Sequence, residues 1–447
     1  MEKETIGNKH IREIRDSRQK IVSFKKPKPA MKTVKPLTLQ ETEKHVRNRN
    51  GLAFAICMAC YLFGGTVATL MSVYLPVAVP ELLGRAASEQ ELGRIGAYLN
   101  SAFIFGWMLG GLWMGVASDR LGRVKTLAFS VGLYGVFTLL TVFVGDWQTL
   151  LAYRFLAGMG VGGVLLVSTV YIAEIWNESS RPVALGVLAV AFPVGIVLTG
   201  GLNVLFVHWQ QAFWLGALPM VLAVVTLVFL PESERWRHTR KFKNRKSETV
   251  FTPGNRPNLL AGALLFGSVL VGLWAIFSWL PTWVQSLLAG TSDGQRERGL
   301  TMVLLGSGGI AGGILSGFLI KKLGVRRTLI FTFAGCLLAC GLLFLTNSSF
   351  SPVVYAEIAL LSLFFGISQG SLSSYIPALF PTGIRATATG FCFNIGRFFT
   401  GISVFFVGTL VGVLGGFGHA LLAFSLAFAV ALAVAVFSRD GKGEMAE

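Results

Sequence analysis

The sequence predicts an all-α polytopic membrane protein, twelve transmembrane helices in two pseudo-symmetric six-helix bundles, and three observations carry that prediction. Of 447 residues, 53% are hydrophobic and only 14% charged, with mean hydropathy +0.64, whereas soluble chains carry about 25% charge. The apolar residues fall into runs of about twenty, the length a helix needs to cross a hydrocarbon core about 30 Å thick, and unbroken runs such as 420–437 lack the alternation of a β-barrel strand. Finally, the stretch from Gly110 to Leu127 realigns 202 residues later with Gly312 to Leu329, identical at seven of eighteen positions.

Taken in order, the runs are 53–79, 97–117, 126–144, 149–172, 183–205 and 211–230, then 259–285, 300–320, 328–346, 352–374, 386–411 and 417–437. An even count places both termini on one side. The arm 1–50, the alternate loops on its side and the tail hold thirty-three Lys and Arg, and the opposite loops hold four, Arg85, Arg94, Arg296 and Arg298. The positive-inside rule makes both termini cytoplasmic in a bacterial plasma membrane. Segment 231–258 is the longest internal break and is rich in Arg and Lys. The predicted organisation is a basic cytoplasmic arm over 1–50, a first bundle over 51–230, a basic linker over 231–258, a second bundle over 259–437 and a cytoplasmic tail over 438–447. Two duplicated six-helix halves are the architecture of a carrier that rocks about a central site, working as a monomer.

The net charge of +17 does not point to nucleic acid. The arm holds fourteen Lys and Arg against six acids, with Phe24 its one Phe, Tyr or Trp to stack on bases, so it reads as a disordered polar segment that meets anionic lipid headgroups. The five cysteines lie inside apolar runs, and Cys57-x-x-Cys60 has neither histidine nor carboxylate beside it, so both serve as small packing residues. The five histidines are scattered, which leaves no metal cluster and no cofactor, and no nucleophile stands beside a base as an enzyme would need. Gly158-x-Gly160-x-x-Gly163 spells a dinucleotide fingerprint within a transmembrane run, with no βαβ unit around it.

The segment Gly115-Val-Ala-Ser-Asp119-Arg120-Leu-Gly122-Arg123-Val-Lys125, echoed at 317–327, resembles the loop signature of the major facilitator superfamily. Arg154 followed by Gly158, Gly160 and Gly162, then Tyr171-Ile-Ala-Glu174 with Arg181, then Pro231-Glu232-Ser-Glu-Arg235-Trp236, resemble its sugar-porter and metabolite-symporter branch. The resemblance covers about residues 50–440. It implies alternating access. It also implies a gating network of Asp119, Arg120, Arg123, Glu174, Arg181, Glu232, Arg235 and Arg385, in which the Asp119 carboxylate caps a neighbouring helix N-terminus when the cytoplasmic gate is shut.

Charged residues within a membrane are costly and usually line a pathway. Arg397 lies about a dozen residues into the eleventh run, too deep to reach an interface freely; it is the candidate for binding a substrate carboxylate, with Asn394 beside it. Arg154, near the outer start of the fourth run, is an outer-gate candidate. Glu357 could pair with Arg397 or couple transport to protons. Sugar porters of this superfamily carry an Asp in the first span beside Gly-Tyr; here the stretch is Phe63-Gly64-Gly65-Thr66. Their seventh-span amides are likewise replaced, by Ser268, Val269, Gly272 and Trp274. Trp274, Ser278 and Trp279, in a Trp-Leu-Pro-Thr pattern like that of organic-acid symporters, complete the candidate site. A cation among aromatic walls suits a small organic anion better than a sugar, which needs many hydrogen-bonding groups. A sugar or polyol porter, and a receptor without flux, remain the alternative readings.

Overall fold

The computed structural model describes residues 39–241, 250–288, 290, 293–381 and 384–437. Twelve of its helices are long and apolar enough to cross a membrane: α1 (Arg49–Leu83), α2 (Glu89–Leu121), α3 (Arg123–Phe143), α4 (Trp147–Ile175), α5 (Val183–Leu205), α6 (Trp209–Phe229), α7 (Arg256–Leu287), α8 (Gln295–Leu323), α9 (Val325–Thr346), α10 (Val353–Ala378), α11 (Thr387–Leu414) and α12 (Phe417–Phe437). Several overrun their apolar runs. α2 starts at Glu89 rather than 97 because Ser88 accepts the Glu91 amide at 3.2 Å and Glu89 and Glu91 sit at the positive helix end. Of the arm expected to be disordered, residues 39–49 are helical, Glu41 and Glu43 again favouring a helix start. The rest of the arm, linker residues 242–249 and the tail 438–447 lie outside the described residues. A further helix, Glu234–Lys241, opens the linker.

The halves repeat one packing scheme. α2 packs on α4 as α8 packs on α10, α3 on α4 as α9 on α10, and α3 on α6 as α9 on α12. Glycine makes the first of these crossings possible in each half. A Cβ at Gly110 would lie 2.0 Å from the Met159 carbonyl oxygen, and one at Gly312 would lie 2.2 Å from that of Leu363, so backbone rests directly on backbone. The repeat also governs the turns, where Gly122 (φ +110°) joins α2 to α3 and Gly324 (φ +80°) joins α8 to α9, a region that other residues enter at a cost.

Two helices are interrupted. α7 runs as helix over Arg256–Gly272, widens into a π turn at Leu273–Phe277 and resumes over Leu280–Leu287, because Pro281 has no N–H and its ring crowds the carbonyl four residues earlier. α11 breaks at Phe406 between Arg385–Phe405 and Val407–Leu414.

The halves meet along α5 with α8 and along α2 with α11. We call the side of loops 118–125 and 321–327 the basic end and the other the far end. Contacts between halves run from mid-span to the far end: Tyr98 stacks on Phe405 at 5.1 Å, Gln295 donates to the Asn203 carbonyl at 2.8 Å, and a Cβ at Gly408 would sit 2.5 Å from the Arg94 backbone. Among the glycines that approach the other half, those nearest the basic end are Gly111, by Asn394, and Gly309, by Pro193. The halves are therefore shut at the far end and part toward the basic end.

Candidate functional site

The middle of the molecule is walled by aromatic rings from both halves. Trp107 of α2 meets Phe192 of α5 at 5.7 Å and Trp274 of α7 at 5.5 Å; Tyr61 of α1 meets Phe192 at 6.5 Å; Phe277 meets Phe365 at 4.8 Å. Arg397 of α11 holds its guanidinium 5.2 Å over the Trp107 ring, with Tyr61 as its electrostatic neighbour. The side chain is only partly buried and makes no ion pair or hydrogen bond with the described residues. A planar cation against an indole face, with all its N–H donors unspent, is prepared for an anion.

Beside this centre lies a cavity of about 30 Å³ lined by Thr69, Ser72, Phe192, Trp274, Phe277 and Ser278, among others. That is room for a water or two rather than for a substrate. The break in α7 turns Trp274 and Ser278 toward it. Asn394, one turn before Arg397, spends its amide N–H on the Gly390 carbonyl at 3.0 Å and keeps its oxygen toward Gly111.

Trp279 is placed elsewhere. It is fully buried, stacked on Phe417 at 5.5 Å, and its ring fills the notch left by Gly96 of α2, where a Cβ would lie 2.6 Å away. This makes it a wedge in the far-end closure. Gly96→Leu is expected to hold that end ajar and to raise thiol labelling of a Ser72→Cys reporter several-fold; unchanged labelling would remove Trp279 from the closure.

Arg154 also differs from its expected place. It is buried within the first half, donating to the α1 carbonyls of Val67 at 2.9 Å and Ala68 at 3.2 Å and lying 4.1 Å over the Phe103 ring. All these partners belong to one half, so its contacts brace α1 against α4 and do not bridge the halves. The far-end polar contacts fall to residues the sequence did not single out: Gln295, and Arg298, which donates to Gln285 and to the Asp293 carbonyl. Glu357 accepts from Asn347 at 2.6 Å near the far end and is not paired with Arg397.

At the basic end the acids and bases sort into two groups, both within the first half. Arg123 pairs with Asp119 at 2.6 Å and Glu174 at 2.8 Å, and Glu232 accepts the amides of Arg123 and Val124 at 2.8 and 3.3 Å. Thus Glu232, not Asp119, caps a helix start here, that of α3. Asp119 is 74% exposed, and Arg120 is exposed beside it. Arg181 and Arg235 pair with Glu178 at 3.2 and 2.9 Å rather than with Glu174 or Glu232, and these bonds, Arg235 first, hold the Glu178 carboxyl below its ordinary range. The i,i+3 spacing of Glu178 and Arg181 was the signal available in the sequence. Arg385, the counterpart of Arg181, donates to the Phe380 carbonyl at 3.1 Å.

Known proteins resemble this chain over most of its length. The chain is 28% identical over 376 residues to the cis,cis-muconate transport protein of Acinetobacter baylyi, covering 80% of this chain and 87% of that one. It is 26% identical to the 4-hydroxybenzoate transporter PcaK of Pseudomonas aeruginosa, covering 74% and 81%. Its fold superposes on the crystal structure of a D-xylose-proton symporter with a TM-score of 0.71 at 17% identity, over 88% of this chain and 98% of the other. The sequence model of the Major Facilitator Superfamily matches residues 52–404. Because that match takes in α1 to α10 and most of α11, and the mirrored halves are those of its solved relative, the chain belongs to the Major Facilitator Superfamily.

Proposed function

We infer that the protein carries a small organic anion, a planar carboxylate, across the bacterial plasma membrane by alternating access. The observation that supports this most directly is the Arg397 guanidinium, lying on Trp107 between the halves with no acceptor from the described residues. The relatives named above are transporters of muconate and of 4-hydroxybenzoate, both planar carboxylates. The likeness to the xylose symporter concerns the fold alone. Sugars call for many hydrogen-bonding partners, and the rings around Arg397 offer few.

The basic end faces the cytoplasm by loop charge, so the conformation described is open inward, with both termini cytoplasmic and the monomer as the working unit. In this reading Asp119, exposed and held by Arg123, engages the second half when the cytoplasmic side shuts, while Arg120, Glu174, Arg181, Glu232, Arg235 and Arg385 hold the loops around it. Proteoliposome counterflow across a panel of aromatic and unsaturated carboxylates and of sugars tests the reading. Carboxylates are expected to drive counterflow and to compete with one another; counterflow by sugars alone would replace the anion with a sugar.

A further inference from the structure

The cavity of about 30 Å³ beside the aromatic wall is built by both halves: Thr69 and Ser72 of α1 and Phe192 of α5 from the first, Trp274 and Ser278 of α7 and Met302 of α8 from the second. Apart from three hydroxyl side chains its walls are aliphatic, aromatic or methionine side chains, and no charged residue lines it. The Thr69 hydroxyl donates to the Gly65 carbonyl at 3.0 Å and meets that of Thr199 at 2.9 Å. The Ser72 hydroxyl is buried with no hydrogen-bond partner, and that of Ser278, a residue also buried, makes no hydrogen bond with the described residues. A buried hydroxyl is costly to leave unpaired, and here two of them, one from each half, border the same small space. Rings set its place relative to Arg397. Trp107 lies under the guanidinium at 5.2 Å and meets Phe192 and Trp274 at 5.7 and 5.5 Å, and those two rings are walls of the cavity. The cation and the cavity wall are therefore two contacts apart, with an aromatic surface between them.

Resting on the anion reading, we propose that this cavity is a subsite for a small uncharged hydroxyl at the end of the substrate remote from its carboxylate, with Ser72 and Ser278 as the specificity-determining residues. The substrate it defines is a flat hydroxy acid, with its carboxylate on Arg397, its ring along Trp107 and its hydroxyl between the two serines. Three properties of the cavity set that choice. Its volume suits a water-sized group, which a hydroxyl is and a further ring or chain is not. No cation lines it, so a second carboxylate would be buried there unpaired. A serine hydroxyl both donates and accepts, so the pair satisfies a phenolic O–H in both senses, whereas an acid that ends in C–H leaves both serines without partners. Polar groups left unpaired in this way are what let a site reject an analogue that lacks the hydroxyl. Trp274, on the widened turn of α7, gives way as the ring enters, a rotamer change of the kind common on binding.

The test titrates the full purified chain in detergent with benzoate, 4-hydroxybenzoate, 4-methylbenzoate and cis,cis-muconate, by calorimetry, at neutral pH, where carboxyls are ionised and a phenol is not. The parent is expected to bind 4-hydroxybenzoate about tenfold more tightly than benzoate and than 4-methylbenzoate, which has the same shape without the hydrogen bond. With Ser72→Ala and Ser278→Ala combined, the ratio of the 4-hydroxybenzoate and benzoate affinities should fall to within about threefold of one, whereas a merely structural role of the serines would weaken all four acids alike and leave the ratio standing. Three results overturn the subsite and leave the anion reading intact: a parent that binds 4-hydroxybenzoate no better than benzoate or 4-methylbenzoate, a parent that prefers cis,cis-muconate, or a hydroxyl preference that survives both substitutions. The first two are read on the parent and need no variant to fold. Failure of folded, thermally intact parent to bind any of the four acids overturns the anion reading, and the subsite falls with it.

Discussion

Arg397→Gln is expected to weaken binding of the transported carboxylate by about 100- to 1000-fold, about 3–4 kcal/mol, the usual cost of truncating one partner of a desolvated, hydrogen-bonded charge pair. The variant should remain folded. Arg397 makes no hydrogen bond with the described residues, so its removal breaks no internal contact beyond the Trp107 face. Arg397→Lys keeps a cation near Trp107 but lacks the planar fork that grips both carboxylate oxygens, and should recover all but about tenfold of the affinity. Titration of the purified variants, alongside their melting temperatures, checks both statements. A stable Arg397→Gln protein that binds carboxylates within about threefold of the parent would remove Arg397 from the site.

The second large effect concerns stability and separates two neighbouring glycines. A side chain at Gly312 would collide with the Leu363 carbonyl, whereas a Cβ at Gly313 meets nothing within 4 Å. Gly312→Val must drive α8 and α10 apart, and overpacking a tight contact typically costs about 1–3 kcal/mol. Thermal unfolding in detergent should show Gly312→Val melting several degrees lower or failing to accumulate, with Gly313→Val close to the parent. Equal melting of the two would mean that α8 and α10 do not cross backbone to backbone.

That pair also shows what the sequence could and could not convey. The glycine-rich character of the eighth span was plain, and so was the 202-residue echo, because duplication leaves identities at the turns Gly122 and Gly324, where a positive φ restricts the choice of residue. Which glycine faces a partner helix depends on helix rotation, and in runs that are apolar on every side no polar face records it. The same blindness hid Trp107: in Phe105-Gly-Trp107 it looks like any lipid-facing aromatic, yet it is the surface against which Arg397 rests. Arg397 itself was legible because a charge deep in an apolar run stands out regardless of rotation. Trp279 was recognised as important but assigned to the wrong cluster of neighbours, since the break before Pro281 turns Trp274 and Trp279 to different sides. At the basic end the network expected from the sequence left out Glu178, which lies closer along the chain to Arg181 than Glu174 does and to which folding brings Arg235.

An unpaired guanidinium halfway through the membrane is also an electrical component. In the proposed orientation, with the basic end facing the cytoplasm, Arg397 sits near the potential of that side, and turning the empty carrier outward would carry about one positive charge through part of the membrane field, with about 2.3 kcal/mol at stake per charge for a full 100 mV. A bound monoanion cancels that charge, so the loaded turn is electrically silent. In that orientation a resting voltage, negative inside, acts on the empty carrier alone and opposes its outward turn.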